Sequence, residues 1–232
     1  VWTPTRPSSV DLYPFDAGTQ RVRGIDPVSL APLGGGRLAG ATLEGGTYDK
    51  GVIFTFFAGF NPNPAMLGSA NDWENTHGSL PSGGLSEGEG GRLWGLTRSG
   101  GHGTPSGAGV AYSFLPSDDQ VTVPFGFSNT LPYGRHPFGE LVRTPDLAHQ
   151  AARFLWGQAA GGTADAAPYA VFRIMDNTFY YPTDASYARE LTLNSEPNAG
   201  LTRASSGKFW SAAGNSVYWF DPAASQQVTT AF

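Results

Sequence analysis

Four histidines, His77, His102, His136 and His149, are the side chains here best suited to hold a metal or move a proton near neutral pH. None has a second histidine two or four residues away, so local spacing sets no two imidazoles on one ion. Glu74 and His77 stand three apart, the spacing of a carboxylate-bridged di-metal helix, but such a site needs two copies on long helices, which this sequence lacks. Ser205-Ser206-Gly207-Lys208 matches Ser-x-x-Lys without its companion motifs, and no Gly-x-Ser-x-Gly elbow occurs. Asp118-Asp119 and Glu87/Glu89 are close carboxylate pairs, yet adjacency in a turn does not hold two carboxyls across a glycosidic bond. The glycine clusters of residues 83–91 and 100–109 contain neither a phosphate loop nor a dinucleotide fingerprint. The expectation is a protein that is not an enzyme, with no catalytic residue, no metal ligand and no cofactor-binding residue assigned.

The aromatic side chains leave two readings open. Trp73, Trp94, Tyr133, Trp156, Tyr180, Tyr181, Trp210 and Trp219 can build a core or subunit contacts, or they can form a platform for sugar rings. On the second reading a loop carboxylate such as Asp72 or Glu74 supplies acid or base work, and the chain is a secreted carbohydrate-binding or glycan-processing β-sandwich. A phage or bacterial surface-adhesion module is a third reading, although its usual repeats are not seen, since no internal repeat recurs at a fixed period.

The elements that would position these residues are short. Hydrophobic residues make up 40% of the 232 and aromatics 13%, enough for a core, while 32 Gly and 18 Pro assign much of the length to turns. Charged residues are 14%, low for a soluble domain, which points to a surface partly covered by neighbours. A net charge of −5 with two lysines, Lys50 and Lys208, gives no basic stripe for direct nucleic-acid binding. There is no cysteine, and the longest apolar run, Val52 to Phe60, is too short to span a bilayer.

Residues 1–36 hold five prolines and end in three glycines, so they read as an extended N-terminal arm. Strands are predicted at Arg37 to Leu43, Gly51 to Ala58, Leu93-Trp94, Gly109 to Leu115, Gln120 to Phe127, Ala151 to Gly157 and Tyr169 to Met175. Further strands are predicted at Leu191 to Leu193, Phe209-Trp210 and Val217 to Phe220, and Asp146 to Phe154 has helical composition. The stretches 61–108 and 128–150 are predicted as long surface loops.

Over about residues 37–183 this series resembles the outer capsid proteins of picornaviruses and related small RNA viruses. The likeness is carried by Phe54-Thr55-Phe56-Phe57-Ala58-Gly59-Phe60-Asn61-Pro62, by Gln120-Val121-Thr122-Val123-Pro124-Phe125-Gly126-Phe127-Ser128, and by Ala170 to Asn177 followed by Phe179-Tyr180-Tyr181-Pro182. The resemblance implies an all-β, eight-stranded jelly-roll β-sandwich over 37–183, with long loops, the arm 1–36 and a C-terminal extension 184–232 on the capsid surface. It implies a structural subunit that encloses an RNA genome together with copies of itself and other capsid chains, in the virion and, during assembly, in the host cytoplasm. A host receptor would then meet the loop bearing Arg135, His136 and Phe138. No cofactor is implied beyond a lipid-like molecule inside the sandwich.

Overall fold

The computed structural model describes residues 24–57, 71–72, 77–101, 107–118, 120–128, 134–144, 154–160, 169–176, 187–193, 195–222 and 229–230. Each of its strands pairs with its neighbour in sequence, antiparallel throughout, and four such meanders follow one another. The first is β1 (Ile25–Gly34), β2 (Arg37–Glu44), β3 (Val52–Phe57) and β4 (Asn71–Asp72). The second is β5 (Ser79–Glu87), β6 (Leu93–Ser99), β7 (Val110–Leu115) and β8 (Gln120–Gly126). The third is β9 (Arg135–Arg143), β10 (Phe154–Ala160), β11 (Tyr169–Met175) and β12 (Tyr187–Leu193). The fourth is β13 (Thr202–Arg203), β14 (Phe209–Ala213), β15 (Ser216–Phe220) and β16 (Thr229–Thr230).

The fold is all-β, as expected, and its finer arrangement differs from the expectations in two respects. An eight-stranded jelly roll brings strands distant in sequence side by side, whereas here all four sheets consist of consecutive strands. The stretch 1–36, read as an arm, supplies β1, and the stretches read as loops at 61–108 and 128–150 supply β5 and β9. The strand expected at Ala151 to Gly157 is met by β10 from Phe154 onward, while residues 145–153, which hold most of the segment of helical composition, lie outside those described.

Three apolar layers alternate with the sheets. Ala31, Ala39 and Ile53 of the first sheet meet Leu85, Leu93, Val110, Tyr112 and Phe114 of the second. Trp94, Leu96, Ala111 and Phe125 of the second meet Leu141, Leu155, Phe172 and Ile174 of the third. Trp156, Val171 and Leu193 of the third meet Leu201, Phe209, Tyr218 and Phe220 at the fourth. The middle sheets are covered on both faces, which is why their second and third strands read as nearly continuous apolar runs.

The sheets share one internal plan, although, as expected, it does not recur at a fixed period. Pro27, Pro81 and Pro137 lie near the start of a sheet's first strand, Pro197 precedes the fourth sheet, and the four lie 54, 56 and 60 residues apart. Pro27 pairs with Thr42 and Pro81 with Thr97, and Pro197 bridges Ala213 at the corresponding place. On each second strand a small residue then faces an aromatic one across the ladder: Gly40 faces Phe54, Gly95 faces Tyr112, Gly157 faces Phe172 and Ser211 faces Tyr218. At the three glycines a Cβ would run into the partner ring, so the ring lies flat across a backbone with no side chain in its way.

The first two sheets repeat the plan down to single hydrogen bonds. Thr42 Oγ1 accepts from the Val52 N–H at 3.1 Å and donates to the Glu44 carbonyl at 2.9 Å. Thr97 Oγ1 accepts from the Val110 N–H at 3.1 Å and donates to the Ser99 carbonyl at 3.0 Å. Thr97 is fully buried, so Thr97→Val keeps the shape and strands the buried Val110 N–H and the part-buried Ser99 carbonyl. We expect this variant to lose about 2 kcal/mol of stability, read as a lower urea midpoint with an unchanged slope.

Candidate functional site

The first strands of successive sheets lie side by side, β1 beside β5 and β5 beside β9. Their closeness is set by glycine. A Cβ on Gly83 would overlap the Gly139 carbonyl, and one on Gly139 would approach Gly200 Cα at 3.3 Å. Side chains tie the same strands together: Ser82 Oγ donates to the Pro137 carbonyl at 3.0 Å, and Ser86 Oγ donates to the Leu141 carbonyl. Polypeptide bonds to polypeptide here with little side-chain bulk between.

Corresponding positions on β1, β5 and β9, and in the segment before β13, form a row. Val28, Ser82, Phe138 and Asn198 each follow the opening proline, and Leu30, Gly84, Glu140 and Gly200 each stand third after it. Val28 and Leu30 are exposed, at 39% and 58%, although both are large apolar side chains. Phe138 is half-buried and Glu140 is exposed. The Glu140 carboxyl lies over Gly84, where a Cβ would come within 2.6 Å of it, and Ser86 Oγ stands 3.4 Å from its Oε1. Partial burial pushes the carboxyl above the usual carboxylate range, and the Ser86 hydroxyl pulls the other way. The row therefore combines apolar contact surface with one hydrogen-bond acceptor.

Of the three residues expected on a receptor-contact loop, all belong to strand β9. Arg135 and His136 form the corner before Pro137, where the His136 N–H donates to the Ala108 carbonyl at 2.7 Å. His136 Nδ1 stands 2.8 Å from the Arg98 carbonyl, which assigns that nitrogen the ring proton. The backbone of His136 has φ 47°, as Leu80 has φ 56° at the same corner of the second sheet. The Leu80 N–H likewise donates to the Lys50 carbonyl. His136 is thus a corner residue shared with a leucine, while Phe138 and the unanticipated Glu140 belong to the row.

The other candidates separate. Trp94 and Trp156 are core residues, 1% and 3% exposed. His77 precedes the corner of the second sheet, Asp118 caps the turn before β8 through the Gln120 N–H, and Ser205 to Lys208 form the turn before β14. Trp73, Glu74, His102, Asp119, Tyr133, His149, Tyr180 and Tyr181 lie outside the described residues. Among the described residues no group of three or more His, Asp or Glu could hold a metal ion. None of their helices is long and apolar enough to cross a membrane.

Trp210 and Trp219 differ from the buried tryptophans. They are a cross-strand pair on β14 and β15, half-buried, with ring centroids 6.1 Å apart. Lys208 Nζ lies 3.6 Å from the Trp219 ring centroid, a cation–π contact.

No family model and no curated protein matches this chain. Among solved structures it is similar to the extracellular domain of a proposed hybrid two component system from B. thetaiotaomicron, at 9% identity and a TM-score of 0.54. The match covers 89% of this chain and 22% of that one, so the chain spans about a fifth of its neighbour's length. A structural genomics protein of unknown function from Bacteroides thetaiotaomicron matches at 12% identity and TM-score 0.49, over 88% of this chain and 43% of that one. A gluconolactonase from Xanthomonas campestris matches at 12% identity and TM-score 0.45, over 90% of this chain and 77% of that one. At such identities the likeness speaks of fold alone, and the fold is all-β, built of antiparallel sheets.

Proposed function

We propose that the four meanders are blades of a β-propeller type of architecture and that the chain is a binding module for saccharide ligands. Propellers repeat four-stranded sheets around an axis, and three features support that form here: consecutive strand order, first strands packed edge to edge, and one interface plan used three times. The observation that carries the functional reading is the row on those first strands. Val28, Leu30 and Phe138 offer contact to the C–H face of a sugar, and the Glu140 carboxylate offers an acceptor for its hydroxyls.

The test is a panel of neutral oligosaccharides measured by calorimetry against the parent and Glu140→Gln. A charged acceptor contributes about 1.5–3 kcal/mol, so the variant is expected to bind at least about tenfold more weakly. Equal affinities in the two proteins, or no saturable binding of any saccharide, would overturn the proposal.

The reading as an icosahedral capsid subunit, with outer loops for a host receptor and a lipid-like molecule inside, rests on the sequence resemblance alone. Strand order gives it no support. Sedimentation of the native material separates the two, since a megadalton shell with companion chains belongs only to the capsid reading.

A further inference from the structure

We infer that the saccharide taken by the row on the first strands is an amino sugar, whose protonated amine pairs with the Glu140 carboxylate. The inference rests on the saccharide reading of that row and names the charge of its ligand.

Among the described residues Glu140 has no ion-pair partner. Arg143, on the same strand, is spent elsewhere, since its Nε lies 3.3 Å from Asp176 Oδ2. The His136 ring is held at the Arg98 carbonyl, and Arg135 stands at the far end of β9, across from Ala160. Hydrogen-bond donors are short as well. An ionised carboxylate accepts up to about four hydrogen bonds, whereas the Ser86 hydroxyl has one proton, divided between the Leu141 carbonyl and Glu140 Oε1. At 3.4 Å its contact with Oε1 is longer than an ordinary hydroxyl hydrogen bond.

Room for a ligand lies beside that carboxyl. On one side it rests over Gly84, where a Cβ would come within 2.6 Å of it. On the other stands Gly200, where an added Cβ would meet nothing beyond its chain neighbours except the Glu140 nitrogen at 3.9 Å. Leu30, at the same position of the row on β1, is 58% exposed and apolar. A ligand here therefore meets apolar surface and one negative charge that partial burial has stripped of some of its water. A sugar hydroxyl brings such a carboxylate one donor, while an ammonium brings three donors and the opposite charge. Charge-assisted bonds are roughly twice as strong as neutral ones. An amino sugar answers both features, since its ring carbons give C–H contact to the apolar side chains and its amine gives the cation. The net charge of −5 favours the approach of a cation over that of an anion.

Calorimetry at about pH 6, between the carboxylate and amine ranges, tests this with tetraglucosamine, its fully N-acetylated form and cellotetraose. The parent is expected to bind tetraglucosamine at least about tenfold more tightly than either neutral tetramer. Glu140→Gln is expected to bring that affinity down to the level of the neutral tetramers or below detection. Glu44→Gln removes the same charge from an exposed position on β2 and is expected to keep the preference. Both glutamates are exposed, so both variants retain the fold, which circular dichroism checks. A parent that binds the three tetramers alike overturns the inference and leaves the saccharide reading intact, while one that binds none overturns both. Equal losses in the two glutamine variants overturn it as well, because they show attraction to the acidic surface as a whole. Spermine bound as tightly as tetraglucosamine, with the same dependence on Glu140, overturns it in favour of a linear polyamine.

Discussion

Replacing Gly83 with valine is expected to abolish the native state. Gly83 lies in the middle of β5 with φ +80°, a conformation that costs an L-residue about 1–2 kcal/mol. Steric overlap adds more, because a Cβ at Gly83 would run into both the carbonyl oxygen and carbonyl carbon of Gly139. Those atoms are backbone of β9, which is fixed by Ser82 and Ser86 on one side and by pairing with β10 on the other. Neither strand can yield without separating the second sheet from the third and opening the layer around Trp94, Leu141 and Phe172. Against a total stability of about 5–15 kcal/mol, overpacking plus strain of this kind takes most or all of it. Gly207→Ala is the control. Its φ is +85°, but nothing lies within 4 Å of an added Cβ, so it carries the backbone cost alone, about 1–2 kcal/mol. Soluble yield and urea midpoints of the two variants separate crowding from conformation. A Gly83→Val protein as stable as Gly207→Ala would mean that the first strands do not meet as described.

The same crowding explains which strands the sequence concealed. β2, β3, β7 and β11 are legible because they are largely buried and apolar, and β8 because its β-branched residues alternate after the turn Pro116-Ser117-Asp118-Asp119. β1, β5 and β9 read as arm or loop because they contain Pro27 and Pro32, Pro81 with Gly83-Gly84, and Pro137 with Gly139. Each is the first strand of its sheet, so one backbone edge needs no partner and proline is tolerated. Glycine is then required because successive first strands approach main chain to main chain. Residues that ordinarily mark loops thus mark the crowded contact between successive first strands, and Phe138 and Glu140 lie among them. The legible signal was the recurrence itself: an opening proline followed four residues later by Leu85, Leu141 or Leu201, then Trp-Gly at 94–95 and 156–157. Unequal loops between those marks remove any fixed period.

Asp176→Asn is expected to cost about 2–4 kcal/mol. Asp176 follows β11 and is 4% exposed, and its carboxylate gathers three donors from separate parts of the chain. Trp94 Nε1 donates to Oδ1 at 2.9 Å, while the Glu89 N–H and Arg143 Nε reach Oδ2 at 2.8 and 3.3 Å. An asparagine has one acceptor oxygen and two N–H donors, so whichever way the amide turns, a buried donor faces a donor. The loss falls on the contact between the second and third sheets, since Trp94 and Glu89 come from one and Arg143 and Asp176 from the other. Burial pushes the Asp176 carboxyl above its ordinary value, against the opposing pull of Arg143, Trp94 and the Glu89 N–H. The sign follows from linkage: a carboxyl raised on folding adds stability that is complete below the unfolded-state value, about 3.9, and is lost as pH rises through the folded value. The parent should therefore lose stability from this group as pH rises above about 4, and Asp176→Asn should lack that component. Urea titrations at several pH values check both parts, with the gap between parent and variant wider in mild acid than at neutrality. A gap that is under about 1 kcal/mol at every pH would mean that the packing of Trp94 on the third sheet holds the two sheets together without the carboxylate.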